Sequence, residues 1–426
     1  MDISLIFNIV PRLLPSFMLG LVALLGLLLQ GKSFGDVLRG SVKTMAGVVI
    51  LFSAVDILIS AIDPIAALFS KVYSIEGTVQ LADWTAFLGE YGVTIVSVMV
   101  IGFLINVLLA RVTRFKYVFL TGHILFWYAF MFVGAFADGG QLSGLTLTVL
   151  ASVFLGIWLT LTPALLAPFI EKLTGAKDFV IGHSTIFIAF ITALIGKWFG
   201  DSSKSTEDIK FPKGLDWIKE MVISTSLILF LLYLIMGFFA GPAWAAEQFT
   251  GGVVWLWYVW ILYQGILFGA GLVVLLTGVR MMLAEIVPAF RGIAERIVPE
   301  AVPALDCPMV FPYAPNALAI GFPIAMVTSL LTIVAFGMAG YSYVLLPMVV
   351  AAFFDVGPGA VLANVTGGVR GVIIGSAVGG VLMIVIQAFA MPFVTNTAAG
   401  FVNVFGGNDF GIIAIIFGGL ASLLGF

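Results

Sequence analysis

The sequence predicts an all-α, polytopic membrane protein. Three observations carry that prediction. Of the 426 residues, 62% are hydrophobic; only 10% are charged, against roughly a quarter in soluble domains; and the apolar residues gather into runs long enough to span a bilayer. A chain of this length lacks the interior to hide so much apolar surface, so its outer solvent must be apolar too. Lys and Arg number 19 against 22 Asp and Glu, a net charge of −3, which argues against a nucleic-acid partner. The single cysteine, Cys307, rules out an internal disulfide framework and any multi-cysteine metal site.

In chain order, spanning runs fall at 13–30, 44–62, 93–110, 117–137 and 145–168, then at 221–240, 253–277, 318–339, 341–354, 372–393 and 411–426. The run 341–354 is short for a crossing, as is 184–200, which contains Lys197. Hydropathy therefore predicts about ten or eleven transmembrane helices plus re-entrant segments. Residues 1–8 lack the basic region and cleavage site of a signal peptide, so the first run is expected to stay as a helix. Lys32, Arg39 and Lys43 follow the first run and Arg111, Arg114 and Lys116 the third, which places both loops in the cytoplasm. Asp63, Glu76, Asp83 and Glu90, against a lone Lys71, suit the opposite side.

The alternation breaks at the polar stretch 201–220, whose Lys204, Lys210, Lys213 and Lys219 call for the cytoplasm. It is restored if 169–200 enters from the cytoplasm and returns to it. Re-entrant backbone is tolerated only where protein or a water-filled cavity surrounds it, so the segment holding His183 is expected to line a site. Residues 1–200 and 221–426 then form two half-repeats of one transporter unit, joined by a cytoplasmic connector at 201–220, a pattern common in transporters. Residues 278–299 alternate Arg280, Glu285, Arg291, Glu295 and Arg296 with apolar side chains, which reads as an amphipathic helix on the cytoplasmic surface.

Functional information lies in the few polar residues at membrane depth. Both histidines, His123 and His183, sit in apolar surroundings, each directly after a glycine. A lone membrane histidine is as often a packing residue bonded to a neighbouring helix. Two in matching settings, with none elsewhere, favour a shared polar cavity. Asp306 stands among Pro303, Pro308, Pro312 and Pro315, which prevent a regular helix and release backbone groups. Broken backbone beside an acid is how transporters build sites near the midplane; the bland alternative is a solvated loop. Asp56, inside the second run, is a candidate for proton coupling, or is protonated and inert. Arg370 after Gly367 and Gly368 fits a cytoplasmic anchor better than an anion ligand.

Other chemistries fit poorly. His123, His183 and Asp306 lack zinc-motif spacing. Cys307 has an acid rather than a base beside it, the wrong neighbour for a nucleophile. The glycine-rich stretch 357–380 has no Walker pattern and suits tight helix packing. Neither a metal nor another cofactor is expected.

Several motifs together resemble one family. GVRMMLAEIVPAFRGI at 278–293, ALDC at 304–307 and APNA at 314–317 are similar to the ascorbate-type enzyme IIC, the permease of the bacterial phosphotransferase system. LTGHI at 120–124, IGH at 181–183 and STEDIKFP at 205–212 match it in the same order. The resemblance runs from about Lys43 onward and marks a divergent member. It implies a multi-pass protein of the bacterial inner membrane and a homodimer, with a mobile core domain on a dimerisation scaffold. It further implies a separate IIB phosphocarrier partner that phosphorylates the solute, no catalytic residue on this chain, and substrate contacts at His123, His183 and Asp306. Where the family has other polar contacts this chain has Val55, Trp84, Thr85, Trp127 and Ser184. The expected solute is ascorbate or a related sugar acid or polyol. The rival reading keeps the fold but drops phosphorylation, with Asp56 and the histidines as a proton path.

Overall fold

The computed structural model describes residues 16–424, apart from 18, 63, 74–83, 210–213 and 215–219. Helices α1 (Leu19–Leu29), α2 (Phe34–Ile62), α3 (Pro64–Tyr73) and α4 (Trp84–Val112) lead into strand β1 (Tyr117–Phe119). Then come α5 (Gly122–Gly139), α6 (Gly144–Thr174), β2 (Val180–Ile181) and α7 (Ile186–Phe199). Beyond the connector lie α8 (Met221–Ala240), α9 (Pro242–Thr250), α10 (Val254–Arg296) and β3 (Val302–Leu305). A 3-10 helix (Cys307–Tyr313) and α11 (Pro315–Met338) follow, then α12 (Val349–Ala351), which passes through a π turn (Ala352–Val356) into α13 (Gly357–Ala390). The described chain closes with α14 (Ala399–Phe405) and α15 (Asp409–Leu423).

The all-helical, polytopic class holds, and the details correct the expectation in three places. Six described helices are long and apolar enough to cross a bilayer, or seven if α8 and α9, bent by 115°, form one broken span. The ten or eleven read from hydropathy include apolar runs that form shorter helices or irregular backbone. Among the described residues, 19–29, 186–199 and 409–423 form shorter apolar helices, and 341–348 is irregular. Second, the charged stretch 278–296 is not a separate surface helix. It is the end of α10, a continuous helix of 43 residues that tolerates Pro288. α10 lies close against α2, where any side chain at Gly47 or Gly278 would meet the opposing backbone at 2.7 Å.

The third departure matters most. Three short strands form a parallel sheet in the order β1-β3-β2. Phe119 pairs with Ala304, and Ile181 with Leu305. Strands of two to four residues leave no periodicity for a sequence reading to find. The sheet is interior: Phe119, Ile181 and Ala304 are fully buried. An open edge is not tolerated at such a place, and Asn106 of α4 closes it. Its side-chain amide donates to the Tyr117 carbonyl at 3.0 Å and accepts from Phe119 N–H at 3.0 Å, completing β1 as a fourth strand would. A further bond to Thr160 Oγ1 at 2.9 Å ties the same amide to α6.

The connector is anchored rather than a loose surface link. Thr206 N–H donates to Asn364 Oδ1 at 2.8 Å, and Glu207 accepts from Asn316 and Ala317 N–H at 3.4 and 3.1 Å. A carboxylate there satisfies orphan donors at the start of α11 and opposes its positive end. Behind the connector α13 kinks at Gly368, whose φ of 57° and ψ of −155° suit glycine. Asp201 N–H donates to the Gly367 carbonyl at 2.8 Å.

Replacing Asn106 by leucine removes both edge bonds while filling similar space. The variant is expected to lose about 2 kcal/mol or more of stability, read as a lower midpoint of thermal unfolding in detergent.

Candidate functional site

Parallel strands put their carboxyl ends on one side, the side where parallel sheets place their ligands. In this sheet each of those ends runs into one of the polar residues singled out above. Asp306 directly follows β3, His183 comes two residues after β2, and His123 lies at the start of α5, four residues after β1. The sheet therefore gathers side chains from three distant parts of the chain. Glycine permits the approach of β2: a side chain at Gly182 would meet the Ala304 backbone at 2.9 Å, and Gly182 N–H donates to the Leu305 carbonyl at 2.7 Å.

The resulting cluster has a carboxylate between two imidazoles. His123 Nε2 lies 3.7 Å from Asp306 Oδ2, and His183 Nε2 lies 3.7 Å from Asp306 Oδ1. The imidazole centroids are 6.1 Å apart. Side-chain exposures of 14% for His123, 9% for His183 and 4% for Asp306 make a largely buried cluster, not a surface patch. Asp306 is fixed by its own backbone, Oδ1 accepting from Cys307 N–H at 2.7 Å. Cys307 is fully buried, its thiol donating to the Phe354 carbonyl at 3.4 Å.

The spacing bears on what the cluster holds. The three ligand atoms lie within 4.8 Å of one another. Zinc bonds of about 2.0–2.1 Å in a tetrahedron would draw its ligands to about 3.3 Å apart. A hydroxyl oxygen with hydrogen bonds of about 2.8 Å would instead hold two partners about 4.6 Å apart. The two His–Asp gaps of 3.7 Å lie between these spacings, so distance alone does not separate a metal ion from solute oxygens.

The other candidates are placed as follows. Trp127 lies one turn beyond His123 on α5, with one indole face stacked on Phe401 at 4.7 Å and 25°. Ser184 Oγ lies 3.4 Å from His183 Nδ1. Asp56 is exposed on α2 and is not one of the three clustered residues. The side chains of Val55, Trp84 and Thr85 lie outside the described residues. Towards the far end of α5 is a cavity of about 380 Å³ lined by Phe87, Glu90, Tyr91, Asp138, Asn396 and others. Phe87, Phe130, Phe401 and Trp127 form a chain of ring contacts leading from it towards the histidine end, at 5.2, 5.2 and 4.7 Å.

Sequence reasoning missed a second polar layer behind the cluster. Asp355, in the π turn, and Asp409, at the start of α15, are 1% and 0% exposed. Asp355 Oδ2 accepts from Asn408 Nδ2 at 2.8 Å, while its Oδ1 is buried with no hydrogen-bond partner among the described residues. Asp409 accepts from Phe187 N–H at 2.9 Å, and its Oδ2 lies 2.8 Å from the Tyr128 hydroxyl. That hydroxyl also lies 2.9 Å from the His183 carbonyl. The signal was present: both acids interrupt apolar runs as Asp306 does.

Apolar spans around a buried polar cluster define the class of an integral membrane protein with a polar interior site. Its family follows from comparison: residues 8–409 match the model described as the sugar-specific permease component of the PTS system, and the chain belongs to that family, as a multi-pass protein of the bacterial inner membrane. The chain is 25% identical to the ascorbate-specific PTS system EIIC component of Mycoplasma pneumoniae, over 90% of its own length. It spans 66% of the length of that relative.

Tyr128→Phe tests the second layer. Without the hydroxyl, Asp409 and the His183 carbonyl each lose a buried partner, and stability is expected to fall by about 1–3 kcal/mol, measured by thermal unfolding of the purified protein.

Proposed function

We propose that the chain carries a small polyhydroxylated solute, ascorbate or a related sugar acid or polyol, into the cell, and that a separate IIB phosphocarrier phosphorylates it on the cytoplasmic side. The observation that carries this reading is the meeting of His123, His183 and Asp306 at three strand ends. The imidazoles supply donors for hydroxyl or enolate oxygens, and the carboxylate accepts from hydroxyls. Such a site favours a solute that satisfies every one of its buried polar groups. Thr85, Trp84, Trp127 and Ser184 are the further candidate contacts. Trp127 offers a plate for a sugar ring, but with one donor where an amide has a donor and an acceptor. In this reading phosphoryl transfer uses no covalent intermediate on this chain.

The reading includes a homodimer in which α2 and α10 belong to the scaffold, and a core domain that moves across the membrane to alternate access. Packing supports that division: α10 contacts both α2 and α8, and α13 contacts both α7 and α11. The half-repeats 1–200 and 221–426 are part of the same proposal.

Uptake of labelled ascorbate into proteoliposomes tests it. Alanine at His123, His183 or Asp306 is expected to abolish uptake singly while membrane insertion is retained. Normal uptake by all three variants refutes the site. A second measurement separates coupling modes. With IIB and its phosphoryl donors inside the vesicle, the product is expected to be phosphorylated; free solute that collapses with an uncoupler favours proton coupling instead. Chelator treatment is expected to leave uptake unchanged, because His123, His183 and Asp306 lack zinc-motif spacing in the sequence.

A further inference from the structure

We propose that Asn408 is a positioning residue for the solute site: acting through Ser184, it fixes His183 as the Nε2–H tautomer and so turns a donor towards Asp306 and the solute. The inference deepens the proposed function and rests on it for the role of the donor, but the tautomer is argued from hydrogen-bond directions alone.

A backbone amide can only donate, and one fixes the orientation of the Asn408 side chain. Phe410 N–H donates to the Asn408 side chain at 3.0 Å, so the atom facing it is the carbonyl oxygen, and the opposite atom is the NH2 group. That NH2 lies 2.8 Å from Asp355 Oδ2 and 3.4 Å from Ser184 Oγ. Its two hydrogens serve two acceptors, one of them a carboxyl oxygen that holds the amide in place. Ser184 Oγ therefore accepts from Asn408 and keeps its single hydrogen to donate. The ring atom within reach is His183 Nδ1, at 3.4 Å, which in the proposed relay is the acceptor of that hydrogen. A neutral imidazole whose Nδ1 accepts must carry its hydrogen on Nε2. Nε2 is the atom 3.7 Å from Asp306 Oδ1.

The surrounding backbone keeps the parts in register. Asp409 N–H donates to the Ser184 carbonyl at 3.0 Å, and Thr185 Oγ1 donates to the Asp355 carbonyl at 2.7 Å. Ser184, Asp355 and Asn408 are all at most 2% exposed, so water does not compete for these bonds. The arrangement parallels the way the second hydrogen bond of a metal-bound histidine sets which ring nitrogen faces the metal, with solute oxygens in place of the ion.

The sequence makes the test clean, because the chain has only 2 histidines. Full-length protein labelled with 15N-histidine and reconstituted in lipid nanodiscs gives two imidazole spectra, and His123→Gln assigns them. His183 is expected to appear as the Nε2–H tautomer. Asn408→Asp replaces the NH2 by an acceptor, which draws the Ser184 hydrogen to itself and is expected to switch His183 to Nδ1–H. Ser184→Ala is expected to give a mixture of tautomers, and Ser184→Thr to restore the wild-type form, a pair that keeps the test decisive if Asn408→Asp does not fold. An Nδ1–H signal in the wild-type protein, or a tautomer unmoved by Ser184→Ala, overturns the assignment. Ascorbate serves as the binding probe, and its affinity for Asn408→Asp is expected to fall about fivefold or more, the loss of one correctly directed hydrogen bond. A switched tautomer with unchanged ascorbate affinity would sustain the hydrogen-bond relay and overturn the solute site instead.

Discussion

Backbone inside an apolar solvent has to pair every N–H and C=O with another protein group. Helices meet that demand within themselves, whereas strands meet it only with a neighbour on each side. The buried sheet at the centre of this protein is therefore a constraint on everything around it. β1 and β2 must flank β3, and Asn106 must close the remaining edge of β1. Once that pairing is made, the three chain segments that leave the sheet have fixed starting points. His123, His183 and Asp306 are positioned by backbone pairing between segments more than 50 residues apart, not by helix packing alone. Loss of the sheet would release all three together.

The chemistry follows from that geometry. A carboxylate held between two imidazoles at 3.7 Å on either side places both donors and an acceptor together. Few other polar groups compete there, because the neighbouring face of α5 is aromatic. Trp127 is engaged with Phe401 on one face, so its contribution to a bound ring is confined to what the indole leaves uncovered. Behind the cluster, Asp355, Asn408 and Asp409 form a buried layer that grips the segment carrying His183. Two acids buried so deeply would be costly as isolated charges, and their hydrogen bonds to an amide, a hydroxyl and a backbone N–H moderate that cost.

Much of this was legible from residue types alone. The scarcity of charge established the apolar solvent, and within it each polar residue became informative. That reasoning found His123, His183 and Asp306, which converge. Applied evenly it would also have found Asp355 and Asp409; they were passed over although each interrupts an apolar run. The strands were invisible because two to four residues carry no alternation, and the local pattern around them is simply apolar. The charged end of α10 misled for a different reason. Arg280, Glu285 and Arg296 lie in the charged end of one continuous helix, and that gives the same amphipathic pattern as a helix lying on the surface. The connector motif at 205–207 looked like a solvated link, yet its Thr206 and Glu207 are bonded to α13 and α11, contacts between residues more than 100 positions apart that no local pattern reports.

The central claim is that the two imidazoles and the carboxylate act on one solute as a unit. A double-mutant cycle on ascorbate affinity, with His183→Gln, Asp306→Asn and the pair together, measures that coupling most directly. Side chains sharing one bound solute are expected to couple by more than about 0.5 kcal/mol. Additive losses within about 0.3 kcal/mol would mean that the two residues act independently and would contradict the account.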